Sequence, residues 1–133
     1  MSSDRQQIVA FLVEHYEHPR NRGPLPDADI HEASGNTECG DNVEMYATVG
    51  PGGRLERITF QGNGSTIGLA AASYVTERLQ GMSLEEAEGF GQETLLDELG
   101  REVVGSSRMS ATLALVTLQR GVRRWRLRQA SAE

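Results

Sequence analysis

The run Gly50-Pro51-Gly52-Gly53 constrains the fold more than any other stretch of the chain. Pro51 presets φ and lacks a donor, and the glycines accept the positive φ that a tight reversal needs. On one side, Val43-Glu44-Met45-Tyr46-Ala47-Thr48-Val49 alternates apolar with polar residues, as a half-buried strand does. On the other, Leu55 to Gln61 reads as the returning strand. Together they predict an antiparallel hairpin. Asp27 to Ser34 supplies a third strand, and it leads into Gly35-Asn36-Thr37-Glu38-Cys39-Gly40-Asp41. That glycine-bounded turn holds the single cysteine and, two residues on, a carboxylate, so both side chains can face one small site.

Helical spacing occupies the remainder. Asp4 to Tyr16 places Ile8, Phe11, Leu12 and His15 on one face, with Asp4 as N-cap and Pro19 closing the segment. Ser65-Thr66 caps a helix from about Ile67 to Gln80 with Gly81 at its exit. Ser83-Leu84-Glu85-Glu86 is a capping box for a short helix to Glu88, and another helix is expected from Glu93 to Gly100. Ala111, Leu115, Leu118, Val122 and Trp125 form the seam of a long last helix, about Ser107 to Arg128. The expectation is an α+β fold over residues 1–133 as a single domain. It has a three-stranded antiparallel sheet, helices packed on one face, and a long C-terminal helix.

Charge narrows the partners. The net charge is −6, and all 13 basic residues are Arg. Five of them (Arg120, Arg123, Arg124, Arg126 and Arg128) fall in the last 14 residues, where Glu133 is the only acid. The acidic remainder repels phosphate, which argues against nucleic acid. No run of apolar residues is long enough for a membrane span. A polar start from Met1 to Gln7 and a single cysteine fit a reducing cytoplasm.

Several segments resemble one family. Glu14-His15-Tyr16-Glu17-His18-Pro19-Arg20-Asn21-Arg22-Gly23 is similar to the D-H-Y-x-x-P-R-N-x-G opening of the iron–sulfur scaffold proteins IscU, SufU and the N-terminal domain of NifU. Gly35 to Asp41 resembles their G-N-P-x-C-G-D segment. Phe60-Gln61-Gly62-Asn63-Gly64-Ser65-Thr66-Ile67 resembles F-x-G-C-G-S-A-I. Ser73 and Thr76-Glu77 sit at S-x-x-T-E, and Ser110-Ala111-Thr112-Leu113-Ala114 is similar to C-A-T-L-A. The resemblance implies an α+β fold with three cysteines and an aspartate at one exposed end, where an iron–sulfur cluster is built with sulfur from a cysteine desulfurase. Of those ligand positions this chain keeps Cys39 and Asp41; Asn63 and Ser110 stand at the other two.

The departures bear on chemistry. Iron–sulfur clusters are held by thiolates, usually four. One thiolate and one carboxylate cannot close that shell, and they hold zinc or iron weakly too. Three readings therefore stay open. A homodimer, or a second protein, supplies the missing ligands to a cluster scaffold. Alternatively Cys39 accepts a persulfide and acts as a sulfur carrier, a cation such as His18 or Arg20 favouring its thiolate. By the family fold, the Pro19-Arg20-Asn21 loop is the candidate for that cation. Third, the chain is an adaptor or regulator that binds a cysteine desulfurase without chemistry. All three describe a scaffold or carrier better than a turnover enzyme. Each residue also has a plain reading. Cys39 can be a small buried hydrophobe, His15 a packed core residue, and His18 and His31 surface groups. Asn63 can be a turn residue, Ser110 a small helical residue, and the arginine-rich tail a solvated helix end.

Overall fold

The computed structural model describes residues 4–36 and 40–132, so Cys39 lies outside the described residues. Helix α1 (Asp4–Glu17) precedes three strands, β1 (Ile30–Asn36), β2 (Asp41–Gly50) and β3 (Arg54–Asn63). Helices α2 (Thr66–Leu79), α3 (Leu84–Glu88), α4 (Gln92–Leu99), α5 (Arg101–Val104) and α6 (Arg108–Ala132) follow. The sheet is antiparallel in the order β1-β2-β3. Both α2 and α6 pack on it, and α1 packs on α2. Met45, Ala47, Ile58 and Phe60 from the sheet meet Val75, Leu79, Leu115 and Leu118 from the helices in the core.

The hairpin turns where the glycines require it, at Gly52 (φ +81) and Gly53 (φ +71). A register shift between Thr48 and Val49 resolves a conflict in β3. Strict alternation would turn Leu55 away from the face that holds Ile58 and Phe60; the shift brings it in, and Leu55 is buried. The first strand begins later than its sequence suggests. Pro26 has no donor, Asp27 takes φ +63, and the Asp29 carboxylate accepts the Val49 N–H at 2.7 Å. Asp4 is already helical rather than capping. The capping box at Ser83 and Glu86 forms with both reciprocal bonds.

Two distant stretches of sequence interlock here. Ser73 Oγ on α2 accepts the Arg20 N–H at 2.8 Å and lies 2.7 Å from His15 Nδ1. The other ring nitrogen, Nε2, lies 3.8 Å from Glu77 Oε1. Asn21, at φ +56, donates from Nδ2 to Thr76 Oγ1 at 3.1 Å. Phe60 N–H donates to Asn21 O and Gly23 N–H to Phe60 O, so the loop after α1 extends the β3 edge. Phe11, His15 and Tyr74 pack edge to face beside this joint. His15 is buried (3% exposed), whereas His18 and His31 are exposed, the latter stacked on Tyr46 and bonded to Glu44.

The arginine-rich end of α6 is not simply a solvated helix end. Arg120 donates to Glu32 Oε2 (3.1 Å), Ala33 O (2.7 Å) and Ser34 Oγ (2.8 Å). One turn on, Arg124 pairs with Glu32 Oε1 at 3.2 Å, and Arg128 reaches Asp29 O at 3.4 Å. These three share one helix face and cover the outer edge of β1, which would otherwise present open backbone groups. Gly121 sits between them because a Cβ there would lie 2.5 Å from Ile30 Cγ2.

His15 makes stability depend on pH. Burial, and secondly the Arg20 guanidinium, hold its pKa below the usual 6.5, against weaker pulls from Glu77 and Glu14. Between the folded and unfolded values the unfolded chain binds more protons, so stability falls as pH drops below about 6.5. The fall ends once the folded imidazole is itself protonated. Urea midpoints measured from about pH 7.5 to about pH 5 should drop more steeply in the wild type than in His15→Gln.

Candidate functional site

Three of the four family positions meet at one end of the sheet. Asp41 opens β2, Asn63 closes β3, and Ser110 lies in the first turn of α6; all three line a cavity of about 10 Å³, the size of a single water. Gly68, Leu69, Ala72, Leu113 and Ala114 complete most of the wall. The fourth position, Cys39, belongs to the connection between β1 and β2. Asn36, the last residue of β1, pairs with Asp41 across the ladder.

Asp41 is the centre of this end. It is 4% exposed, and its two carboxylate oxygens are bonded to different elements. Oδ1 accepts the Ser65 N–H at 2.7 Å, and Oδ2 accepts the Ser110 hydroxyl. Ser65 is the N-cap of α2, its own Oγ accepting from the Gly68 N–H at 3.0 Å. The carboxylate thus sits at a helix N-terminus, where the macrodipole favours negative charge. Gly64 makes room for it: at φ +154, a Cβ there would lie 2.0 Å from Asp41 Oδ1. Asn63 is exposed, and its backbone N–H donates to Asn42 Oδ1 at 3.2 Å.

Cys39 lies outside the described residues, and the loop that sequence offered as its cation has partners among the described ones. Arg20 pairs with Glu14 Oε1 (3.1 Å) and approaches Glu77 Oε2 (3.9 Å), beside Ser73 in the second half of α2. Asp41 lies against the first turn of that helix. His18 is exposed, its carbonyl accepting from Arg20 Nη1. Arg22 lies nearer this end: it donates to Gly62 O at 3.1 Å, next to Asn63, and lies over the Phe60 ring. No spacing in the sequence distinguishes Arg22 from Arg20. Only the loop's pairing with β3 does.

The donors at the described positions do not by themselves suit an iron–sulfur cluster. The described positions offer a carboxylate with both oxygens already bonded, a neutral hydroxyl and an amide, where thiolates are needed. Among the described residues, no group of three or more His, Cys, Asp and Glu side chains is placed to hold a metal ion.

Fold and site together define a class: a small α+β domain in which polar side chains from β2, β3 and α6 converge at one end of an antiparallel sheet. The family model for the NifU-like N-terminal domain matches residues 8–132, and the chain belongs to that family. It is 35% identical over 91 residues to the iron–sulfur cluster assembly scaffold protein IscU of Buchnera aphidicola, covering 66% of this chain and 72% of that protein. It is 36% identical over 89 residues to IscU 1 of Archaeoglobus fulgidus, 67% of this chain but 58% of the relative's length. Among solved structures, the N-terminal part of a NifU-like protein from Brucella abortus superposes with a TM-score of 0.73 at 15% identity, covering 87% of this chain and 92% of that one. A putative scaffold protein for the SUF system from Fervidobacterium islandicum gives 0.68 at 20% identity, with coverage of 84% and 93%. These last two likenesses concern the fold.

Gly64 tests the geometry of the site. Gly64→Ala should cost about 2 kcal/mol or more, because a Cβ there meets the Asp41 carboxylate as well as an unfavourable φ. Gly52→Ala, at φ +81 with nothing within 4 Å of the new Cβ, should cost only about 1 kcal/mol in the same urea titration.

Proposed function

We propose that this protein works in iron–sulfur cluster assembly as a scaffold-family member that engages its cargo through Cys39. Family membership over residues 8–132 supports the process, and the relatives named as IscU scaffolds support the role. The observation that carries the single-thiol form is the state of the other positions. Asp41, Asn63 and Ser110 converge, yet they contribute no thiolate, and both Asp41 oxygens are already bonded. A cluster as cargo would then need ligands from a partner chain, either a second copy in a homodimer or another assembly protein. The reading places the chain, as one domain, in a reducing cytoplasm.

The simplest chemistry open to one thiol is sulfur acceptance from a cysteine desulfurase. The Cys39 thiolate attacks the terminal sulfur of the desulfurase persulfide. A new S–S bond forms on Cys39, the old one breaks, and the desulfurase thiolate leaves. Electrons balance without an external oxidant. An adaptor that binds the desulfurase without accepting sulfur is the alternative within the same process.

Incubation with a cysteine desulfurase and cysteine, followed by mass spectrometry, should show one added sulfur atom on the intact chain. Reductant should remove it, and Cys39→Ala should never acquire it. An unmodified wild-type chain, under conditions where the desulfurase turns over, contradicts the carrier step. Desulfurase binding that survives Cys39→Ala would then favour the adaptor.

A further inference from the structure

We infer that Asp41 serves this chain as a strut and not as a metal ligand, the Ser110 hydroxyl having turned it into a closed joint between β2, α2 and α6. The inference concerns the same end of the molecule as the proposed function but does not depend on which cargo Cys39 takes.

Four observations converge on it. Asp41 and Ser110 are 4% and 9% exposed, so the carboxylate and the hydroxyl that faces it are both withdrawn from solvent. Oδ1 and Oδ2 are each held by a donor from a separate helix, Ser65 N–H at the entry of α2 and Ser110 O–H at the start of α6. Each oxygen keeps a second lone pair, but a cation taking it has to fit beside the donor already there. The cavity offers no room for that cation with its own ligand shell: at about 10 Å³ it admits one water, whereas zinc or iron requires four or more ligands about 2 Å away. Apart from the neutral amides of Asn42 and Asn63, its remaining wall is Gly68 and the apolar Val43, Leu69, Ala72, Leu113 and Ala114, which supply no side-chain ligands.

The chemistry of the replacement explains the change of role. A thiolate at position 110 would carry negative charge beside the carboxylate, and the two would repel unless a cation lay between them. A hydroxyl carries a proton instead and donates it to Oδ2. The charge-assisted bond replaces the cation as what holds β2 and α6 together here. Gly64 and Gly68 fit the same account, since each lets α2 begin directly against the carboxylate.

The test uses the full chain and the metals alone. Zn2+, and anaerobically Fe2+, are titrated calorimetrically into the wild type, Asp41→Asn and Ser110→Ala. Asparagine keeps an acceptor for Ser65 and offers an N–H to the Ser110 oxygen, so the fold is retained. Even an outer-shell partner of a metal is worth roughly 10–100-fold in affinity, so a true ligand shows clearly. The strut predicts that metal affinity changes by less than about threefold in Asp41→Asn while the melting temperature falls by several degrees. Ser110→Ala should lower it as well. A larger loss of Zn2+ or Fe2+ affinity in Asp41→Asn overturns the inference, and so does an unchanged melting temperature. A second readout needs no variant: the 13C resonance of the Asp41 carboxyl in the wild type should stay in place when Zn2+ is added. A shift on direct coordination would overturn the proposal. Sulfur loading of Cys39 is scored separately, so either result can fail without the other.

Discussion

A buried carboxylate with two donors on it organises one end of the sheet. Asp41 sits where β2 begins, where α2 starts, and where the first turn of α6 passes. Removing its charge from water is unfavourable unless each oxygen is bonded, and here each is. The rest of that end follows from this requirement. Gly64 leaves space for the carboxylate, Ser65 turns its amide toward it, and Ser110 gives up its proton. At the other flank of the sheet, Glu32 poses the same problem and is answered by Arg120 and Arg124. Two acids thus fix α6 to the sheet at its two ends, one through a hydroxyl and one through guanidiniums.

Much of the architecture was legible in the chain. The glycine-proline turn located the hairpin, helical periodicity located α2 and α6, and the capping box located α3. These signals are local, and each reports on neighbours a few residues away. The errors lie where a distant partner decides. Strand β1 starts three residues later than Asp27 because Pro26 and the φ of Asp27 shape a turn, while Asp29 is drawn to Val49. The four-residue α5 had no periodic signature at all.

The site was legible as a set of positions and not as a set of bonds. Motif resemblance picked out Asp41, Asn63 and Ser110, and the structure gathers all three around one cavity. No spacing could say that Ser110 would donate to Asp41 across 69 positions of sequence. The same holds for the tail. Five arginines near the end of a helix read as solvated charge, whereas three of them lie across β1 because α6 is long enough to return along it. The motif pairs His15 to Asn21 and Ser73 to Thr76 were visible separately. Their meaning is mutual: the first segment is the covering of the β3 edge, and the second holds it there.

What the described residues form is therefore a closed joint between β2, α2 and α6 at positions that the motif resemblance implies as ligand positions. The most direct measure of that joint is the coupling between its two halves, obtained from urea denaturation of the wild type, Asp41→Ala, Ser110→Ala and the double variant. A hydrogen bond to a buried charge predicts a coupling energy of about 1.5–3 kcal/mol between the two substitutions. Effects that simply add, within about 0.5 kcal/mol, would mean that the carboxylate and the hydroxyl do not depend on each other, and would contradict the account.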